Sequence, residues 1–337
     1  MMFSDLNRCY IIAEIGGNFT TFDQAAALVA AAKESGVDCV KLQTFRADTI
    51  VSGTAMFDME STGKVLQKEY FRNYEISREL HQQVVACIEA AGLDWFSTPS
   101  HESDLEMLLE LGMKAIKIGA DDANNLPFLA NCARTGLPVV LSTGMCTLAE
   151  VREAVDSIIS EGNRNVVVLH TVSGYPTHSE DVNLKVIDTY RKEFPGFYIG
   201  FSDHTLSPLT CIAAATLGAD VVERHFTLDK AAAGPDHCIS ATPEEMRYIV
   251  DSIRTIETMM GDGVKMPRGP EVKNRRNNRK SLHSLCAIQQ GDVLTRDNVG
   301  IRRPGTGIEP KYQETALGKT ASRNIAPDKA LSWQDIL

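Results

Sequence analysis

Two histidines close two consecutive short apolar runs, and their placement suggests chemistry. The first run is Phe197-Tyr198-Ile199-Gly200-Phe201-Ser202-Asp203-His204, and the second is Ala219-Asp220-Val221-Val222-Glu223-Arg224-His225-Phe226. A helix-like stretch, Pro208 to Leu217, separates them. Strand, helix, strand makes the two runs parallel neighbours, because parallel strands need a crossover. Both imidazoles then reach the same carboxyl edge of one sheet. A neutral imidazole is a common ligand for a divalent metal, and two that converge make half a site. Each histidine alone reads more readily as a strand cap bonded to backbone. The pair together, with the acidic neighbours Asp203 and Glu223, brings the metal reading level with the cap.

Two lysines are as informative. Val40-Lys41-Leu42 and Ile116-Lys117-Ile118 put an ammonium inside an apolar strand, where an unpaired charge is costly. Each needs an anionic partner. That partner is either a structural carboxylate, Glu14 or Asp121, or an anionic ligand such as a phosphate, which suits a compact ammonium. A Schiff-base lysine is the competing chemistry. His237, in the turn-prone string Gly234-Pro235-Asp236-His237, reads as a surface residue, and Asp236 either caps that turn or positions a substrate hydroxyl.

The elements that must carry these residues alternate between strand and helix from Cys9 to Phe226. The strands expected are Tyr10–Ile15, Cys39–Thr44, Trp95–Thr98, Ala115–Gly119, Val139–Thr143, Val166–His170, Tyr198–Ser202 and Val221–His225, with helices such as Phe22–Ser35, Arg78–Ala91 and Leu148–Ser160 between them. Eight strands over this length predict an α/β (β/α)8 TIM barrel. An open doubly wound sheet would carry a Gly-rich phosphate turn after its first strand, and Glu14-Ile15-Gly16-Gly17-Asn18-Phe19 does not match one. In a barrel, Glu14, Lys41, Gln43, Lys117, Ser142, Thr143, Ser173, Tyr175, Ser202, His204 and His225 all gather at one mouth. The polar stretch Arg46 to Ile76 falls on that side, as a lid or a solvated insertion.

The composition fits this picture. A net charge of −10 over 337 residues argues against nucleic-acid binding. No stretch is long enough to cross a bilayer, and Met1 to Cys9 lacks an apolar leader, so no membrane role and a cytoplasmic location are expected. Eight scattered cysteines without a Cys-x-x-Cys pair, most of them inside apolar runs, read as free thiols in a reducing compartment. The barrel domain is expected over 1–260. Gly261 to Lys280, rich in Gly, Pro, Asn and basic residues, reads as a linker, and 281–337 as a small β-rich domain. At about 57 residues, that domain is marginal on its own.

Taken together, the chain resembles the sialic acid (N-acetylneuraminate) synthase family, also called nonulosonate synthases, which includes the legionaminate and pseudaminate synthases. The matching strings run almost end to end: Ala13-Glu14-Ile15-Gly16, Lys41-Leu42-Gln43-Thr44, Phe96-Ser97-Thr98-Pro99, Lys117-Ile118-Gly119, Leu141-Ser142-Thr143-Gly144-Met145, Tyr175-Pro176-Thr177, Gly200-Phe201-Ser202-Asp203-His204-Thr205, Glu223-Arg224-His225-Phe226-Thr227-Leu228-Asp229, Gly234-Pro235-Asp236-His237 and Arg303-Pro304-Gly305-Thr306-Gly307. The resemblance implies a TIM barrel followed by an SAF, antifreeze-like domain. It also implies a homodimer that swaps the small domain through the arm Gly261–Lys280.

The implied reaction condenses phosphoenolpyruvate with an open-chain N-acyl hexosamine, either N-acetylmannosamine or a 2,4-diacetamido-trideoxyhexose, to give a nine-carbon 2-keto acid and phosphate. By the same resemblance, Mn²⁺ or Mg²⁺ would be held by His204 and His225, with Glu223 in its outer shell. Lys41, Lys117, Ser142 and Ser202 would bind phosphoenolpyruvate. Glu14 would act on water, while Gln43, Thr143, Ser173, Tyr175 and Asp236 would contact substrate. Arg303 would reach the partner's site. The chain departs from the family pattern at Phe19, where His is frequent, at Ala120, where a serine is frequent, and at Ser173, where some members carry Asn. A lysine aldolase and a non-catalytic sugar- or phosphate-binding relative stay open as rival readings.

Overall fold

The computed structural model describes residues 2–3, 6–59 and 63–337. The alternation read from the sequence closes on itself. The strands are β1 (Tyr10–Glu14), β2 (Cys39–Thr44), β3 (Met56–Met59), β4 (Gly63–Leu66), β5 (Asp94–Pro99), β6 (Ile116–Ile118), β7 (Val139–Ser142), β8 (Val166–Thr171), β9 (Tyr198–Asp203), β10 (Val221–His225), β11 (Ser281–Ser284) and β12 (Val299–Arg302). Eight of them form a closed barrel in the order β1-β10-β9-β8-β7-β6-β5-β2. All of its pairings are parallel, as a sheet whose strands are joined by helices must be.

The barrel strands are buried on both faces, so they read as nearly continuous apolar runs. The core runs from Ile11, Val40 and Phe96 through Leu141 and Val168 to Val222, and the surrounding helices seal it. Their boundaries are written locally. The helix Phe22–Ser35 starts at a Thr21–Gln24 capping box and ends on Gly36 at φ 83°, a left-handed conformation that glycine adopts without strain. Thr147 and Glu150 repeat the capping box at Leu148–Ser160.

Two segments have more structure than expected. The stretch after β2 holds the short helices Ala47–Ile50 and Gln67–Arg72 and the antiparallel β3–β4 hairpin, so it is a folded insertion rather than a solvated loop. The arm expected to be a plain linker contains a helix, Pro270–Asn278. It begins on a proline, with Glu271 in the first turn and Arg275 and Arg276 in the last, which suits the helix dipole despite the Asn-rich composition.

The chain divides into two compact units, Met1–Met260 and Gly261–Leu337. In the second, β11 and β12 pair antiparallel over a core that includes Leu282, Leu294, Val299, Ile325 and Leu331. The amide of Gly305 bonds to the Arg276 carbonyl at 3.0 Å, so the arm helix is tied to this unit. All eight cysteines are free thiols. No helix among the described residues is long and apolar enough to cross a membrane.

Candidate active site

Strand alternation decides which side chains face the barrel axis. On β10, Glu223 and His225 point inward and Arg224 outward; on β9, Ser202 points inward and Asp203 outward. Arg224 and Asp203 meet behind the barrel in a buried ion pair. Asp203 also accepts from the Thr205 amide at 2.8 Å and the Cys211 thiol at 3.1 Å. Asp203, read from the sequence as acidic support for a metal, therefore serves the barrel wall instead.

The floor of the mouth is a knot of charge. Glu14 pairs in register with Lys41 on one side and His225 on the other. The Lys41 ammonium forms an ion pair with Glu14 and lies 3.5 Å from Glu223 Oε1; the Lys117 ammonium lies 3.5 Å from the same oxygen. Ser202 Oγ donates to that oxygen at 3.1 Å, while Glu223 Oε2 is buried without a hydrogen bond. One carboxylate thus serves two ammonium groups. The sequence offered Glu14 or Asp121 as lysine partners and assigned Glu223 to a metal's outer shell. Its position two residues before His225 on one strand was the signal that it shares the inner face.

Burial pushes the Glu14 carboxyl up more strongly than Lys41 pulls it down. Glu223 goes the other way: burial would raise it, but Lys117 and Lys41 hold it below the usual carboxylate range. Burial lowers Lys117 to about 8, partly countered by Glu223. Lys41 stays above its ordinary value, because Glu14 and Glu223 outweigh its burial. Gly16 closes the turn over this floor. Its amide bonds to Glu14 Oε1, and a Cβ there would lie 2.6 Å from the Gln43 backbone nitrogen.

Above the floor stand the two imidazoles, with ring centroids 5.4 Å apart. Tyr175 stacks on His204 at 4.3 Å and meets His225 edge-on at 6.4 Å. His204 Nδ1 lies 2.8 Å from the Val172 carbonyl, so that nitrogen carries the proton and Nε2 keeps its lone pair. Nδ1 of His225 is buried without a hydrogen bond, 3.5 Å from Asp236 Oδ2. Burial lowers His204 to about 4, and burial together with His204 lowers His225 well below the ordinary range. Asp236 is raised to about 7 by burial and then by Glu14.

Two neutral imidazoles, one with an orphaned nitrogen, are the ligating form and fit a divalent ion as two of its donors. No group of three or more His, Cys, Asp or Glu among the described residues converges on one point, so water or substrate would supply the remaining donors.

The cavity these groups enclose has a volume of about 370 Å³, the size of a small-molecule site. Lys41, Gln43, Lys117, Ser142, Ser173, Tyr175, Ser202, His204, Glu223, His225 and Asp236 all line it, and Glu14 is fully buried beneath. Thr143 is not among them. Its hydroxyl is 2.8 Å from the Leu169 carbonyl and 2.8 Å from the Tyr190 hydroxyl, because it alternates outward from Ser142. Arg303 belongs to the second unit. Neither is the position 237 side chain on the surface: His237 is buried, with Nδ1 2.7 Å from Thr227 Oγ1. The insertion supplies a wall that the sequence reading missed, namely Phe57, Tyr70, Phe71 and Tyr74, packed with Phe45. Read as polar overall, the segment hid its aromatics.

Residues 28–265 match the NeuB family, and residues 279–337 match the SAF domain. The chain belongs to the NeuB family. It is 39% identical to the N,N'-diacetyllegionaminic acid synthase of Legionella pneumophila, over 97% of this chain and 94% of that one. It is 34% identical to the human N-acetylneuraminate-9-phosphate synthase, over 96% and 91%. The putative spore coat polysaccharide biosynthesis protein E of Chromobacterium violaceum superposes with a TM-score of 0.78 at 26% identity, covering 98% of this chain and all of that one. Of this NeuB member's departures from the family strings, Phe19 is buried in the core, whereas Ala120 and Ser173 line the cavity.

Proposed function

We propose that this NeuB-family enzyme is a metal-dependent transferase of nonulosonate synthesis. It joins phosphoenolpyruvate to an open-chain N-acyl hexosamine and releases phosphate. One observation carries the reading: two buried ammonium groups, of which Lys117 pairs with Glu223 and Lys41 with both Glu223 and Glu14, line the floor of a cavity beside two uncharged imidazoles. Lys117, whose contact in this floor is Glu223 at 3.5 Å, and Lys41 both reach the cavity, where an anion could bind them. Phosphate and carboxylate oxygens of phosphoenolpyruvate would take their places on Lys41 and Lys117, with Ser142 and Ser202 as hydroxyl donors.

Carbon three of phosphoenolpyruvate then attacks the aldehyde carbon and forms the new C–C bond. Water adds to carbon two, and the resulting hemiketal phosphate collapses to the 2-keto acid with loss of phosphate. Glu14 is buried beside Lys41, and burial raises its carboxyl above the ordinary value, which suits a water-activating base. Gln43, Ser173, Tyr175 and Asp236 orient the sugar. Mn²⁺ or Mg²⁺ bound by His204 and His225, with Glu223 behind them, would polarise the aldehyde oxygen as a Lewis acid.

The NeuB–SAF order of this chain and the marginal size of its second unit support a homodimer in which Arg303 reaches the partner's cavity. Mass spectrometry of the products formed from phosphoenolpyruvate and a panel of N-acyl hexosamines in Mn²⁺, with phosphate release followed in parallel, tests the assignment. Release coupled to a nine-carbon acid is the expected result, and no release with any acceptor refutes it. The depressed Lys117 also suits a Schiff-base amine. Borohydride trapping with pyruvate on Lys117, with activity surviving EDTA, would select that aldolase reading instead.

A further inference from the structure

Behind the barrel wall, on the side away from the imidazoles, one guanidinium has more ties than a wall needs. Asp203 and Arg224 are the last in-register pair of β9 and β10, and each is followed at once by one of the two imidazoles, His204 and His225. Both side chains are buried, at 1% and 2% exposure. Asp203 Oδ1 accepts from the Thr205 amide at 2.8 Å, an Asx turn that holds His204 at its centre. Asp203 Oδ2 meets Arg224 Nη1, and the same nitrogen lies 3.4 Å from Thr205 Oγ1. Arg224 Nη2 donates to the Ile239 carbonyl at 3.3 Å. Ile239 closes the short turn that follows Asp236, with its amide bonded to the Asp236 carbonyl at 3.2 Å. One side chain therefore ties together the residues on both sides of His204, the strand end that carries His225 and the turn that carries Asp236.

A buried ion pair adds little net stability over apolar residues of the same volume, and this one leaves Nε of Arg224 buried without a partner. What the pair does supply is fixed geometry, because the planar guanidinium holds direction as well as distance. The cavity side shows what there is to fix. The rings of His204 and His225 stand 5.4 Å apart, and Asp236 faces His225 Nδ1 at 3.5 Å. We propose that Arg224, through Asp203, is the positioning residue of the mouth. From behind the wall it sets the spacing of the two imidazoles and of Asp236, so that the imidazoles take up a divalent ion as a preformed pair. The inference rests on the metal-dependent synthase reading and adds to it two residues that touch neither metal nor substrate.

The test uses the full-length protein and Mn²⁺ alone. Bound metal is read from the loss of the free-ion signal in electron paramagnetic resonance, and the fold from the melting temperature. H204Q marks the uptake that belongs to this site. D203N/R224M removes both charges but keeps an acceptor for the Thr205 amide. It should melt near the parent and bind Mn²⁺ about 10–100-fold more weakly, the usual loss when a supporting partner of a metal ligand is removed. R224K keeps a charge beside Asp203 but lacks the second prong that bonds the Ile239 carbonyl, and should lose severalfold. Parent-like affinity in folded D203N/R224M overturns the proposal; if that variant does not fold, parent-like affinity in R224K does so. Failure of both to fold also overturns it, since the pair would then be a prop of the barrel alone. If the parent shows no Mn²⁺ uptake that H204Q abolishes, the metal reading fails, and the positioning is judged on the metal-free protein by ¹⁵N NMR of the histidine rings. There the His204 signal, identified by its absence in H204Q, should report a single Nδ1–H tautomer in the parent and a tautomer mixture in D203N/R224M. An unchanged tautomer refutes the inference.

Discussion

Asp335 in the second unit and Asp236 at the barrel mouth are both buried carboxylates, and they are treated in opposite ways. Asp335 Oδ2 takes the Ser332 amide and hydroxyl, each at 2.8 Å. Its Oδ1 takes Arg323 at 2.6 Å and Lys329 at 3.3 Å. Burial alone would raise its carboxyl, but Ser332, Arg323 and Lys329 together hold it at about 2. Asp236 faces an imidazole nitrogen at 3.5 Å, and burial and Glu14 push it up to about 7 against a hydrogen bond with Gln43 and the nearby Lys41. Glu223 leaves one oxygen unbonded nearby. A carboxylate with both oxygens bonded holds a small unit together, whereas one with an oxygen left over keeps capacity for a ligand. The barrel can carry that debt because its large core is independent of the mouth.

Removing charge from each region should separate these roles. Lys117→Met keeps the stem and deletes the ammonium at the anion site. We expect kcat/KM for phosphoenolpyruvate to fall about 10²–10³-fold, as when a preorganised electrostatic contact is lost, with the fold intact by circular dichroism. Asp335→Ala removes the acceptor of the Ser332 amide and hydroxyl and the partner of the half-exposed Arg323 and Lys329, and should cost the second unit about 1–2 kcal/mol in urea unfolding. The sign with pH is fixed by the depressed carboxyl: Asp335 stabilises the fold above the unfolded value near 3.8, and that stabilisation drains away as pH falls toward about 2. A Lys117 variant with full activity, or an Asp335 variant with unchanged unfolding, would erase the contrast.

The same contrast marks how far the sequence could be read. Barrel strands and mouth residues were legible because period-two alternation and the strand-end rule are local. Alternation also held what was missed: Thr143 follows the inward Ser142 and so turns to Tyr190, and Asp203 follows Ser202 and so meets Arg224. Pairings set by barrel closure were not legible. Lys117 on β6 and Glu223 on β10 meet only because the ring closes across its own axis. The aromatic wall depends on a hairpin whose short strands, Met56–Met59 and Gly63–Leu66, carry no strong period.

Two measurements sharpen the comparison at the mouth. Asp236→Asn removes a carboxyl whose folded value is raised above its unfolded one. At pH 8 the charge is a burden to the fold, and this burden lifts as pH drops from about 7 toward 4. The variant should therefore melt higher at pH 8, by about 1–2 kcal/mol, while losing activity; a lower melting temperature would mean that the carboxylate supports the free enzyme. Lys117 titrates near 8 in the free protein, with charge present below and lost above. Above that pH, kcat/KM for phosphoenolpyruvate should fall, approaching tenfold per pH unit when the charged form alone binds, whereas kcat falls later because the bound anion holds the proton on.

The smallest effect concerns a missing hydroxyl. Ala120 lines the cavity just beyond Lys117, and a Cβ built on Gly144 would lie only 3.2 Å from the Ala120 methyl, so the two loops meet there. Ala120→Ser adds one donor at the rim of the anion site without lengthening the side chain past its neighbours. A single hydrogen bond to a ligand is worth about 0.5–1.5 kcal/mol, so KM for phosphoenolpyruvate should drop between about twofold and tenfold with kcat nearly constant. A drop in the sugar's KM alone would place position 120 against the acceptor. The anion would then be confined to the floor formed by Lys41, Lys117 and Ser202, with the acceptor reaching down to the loops that follow β6 and β7.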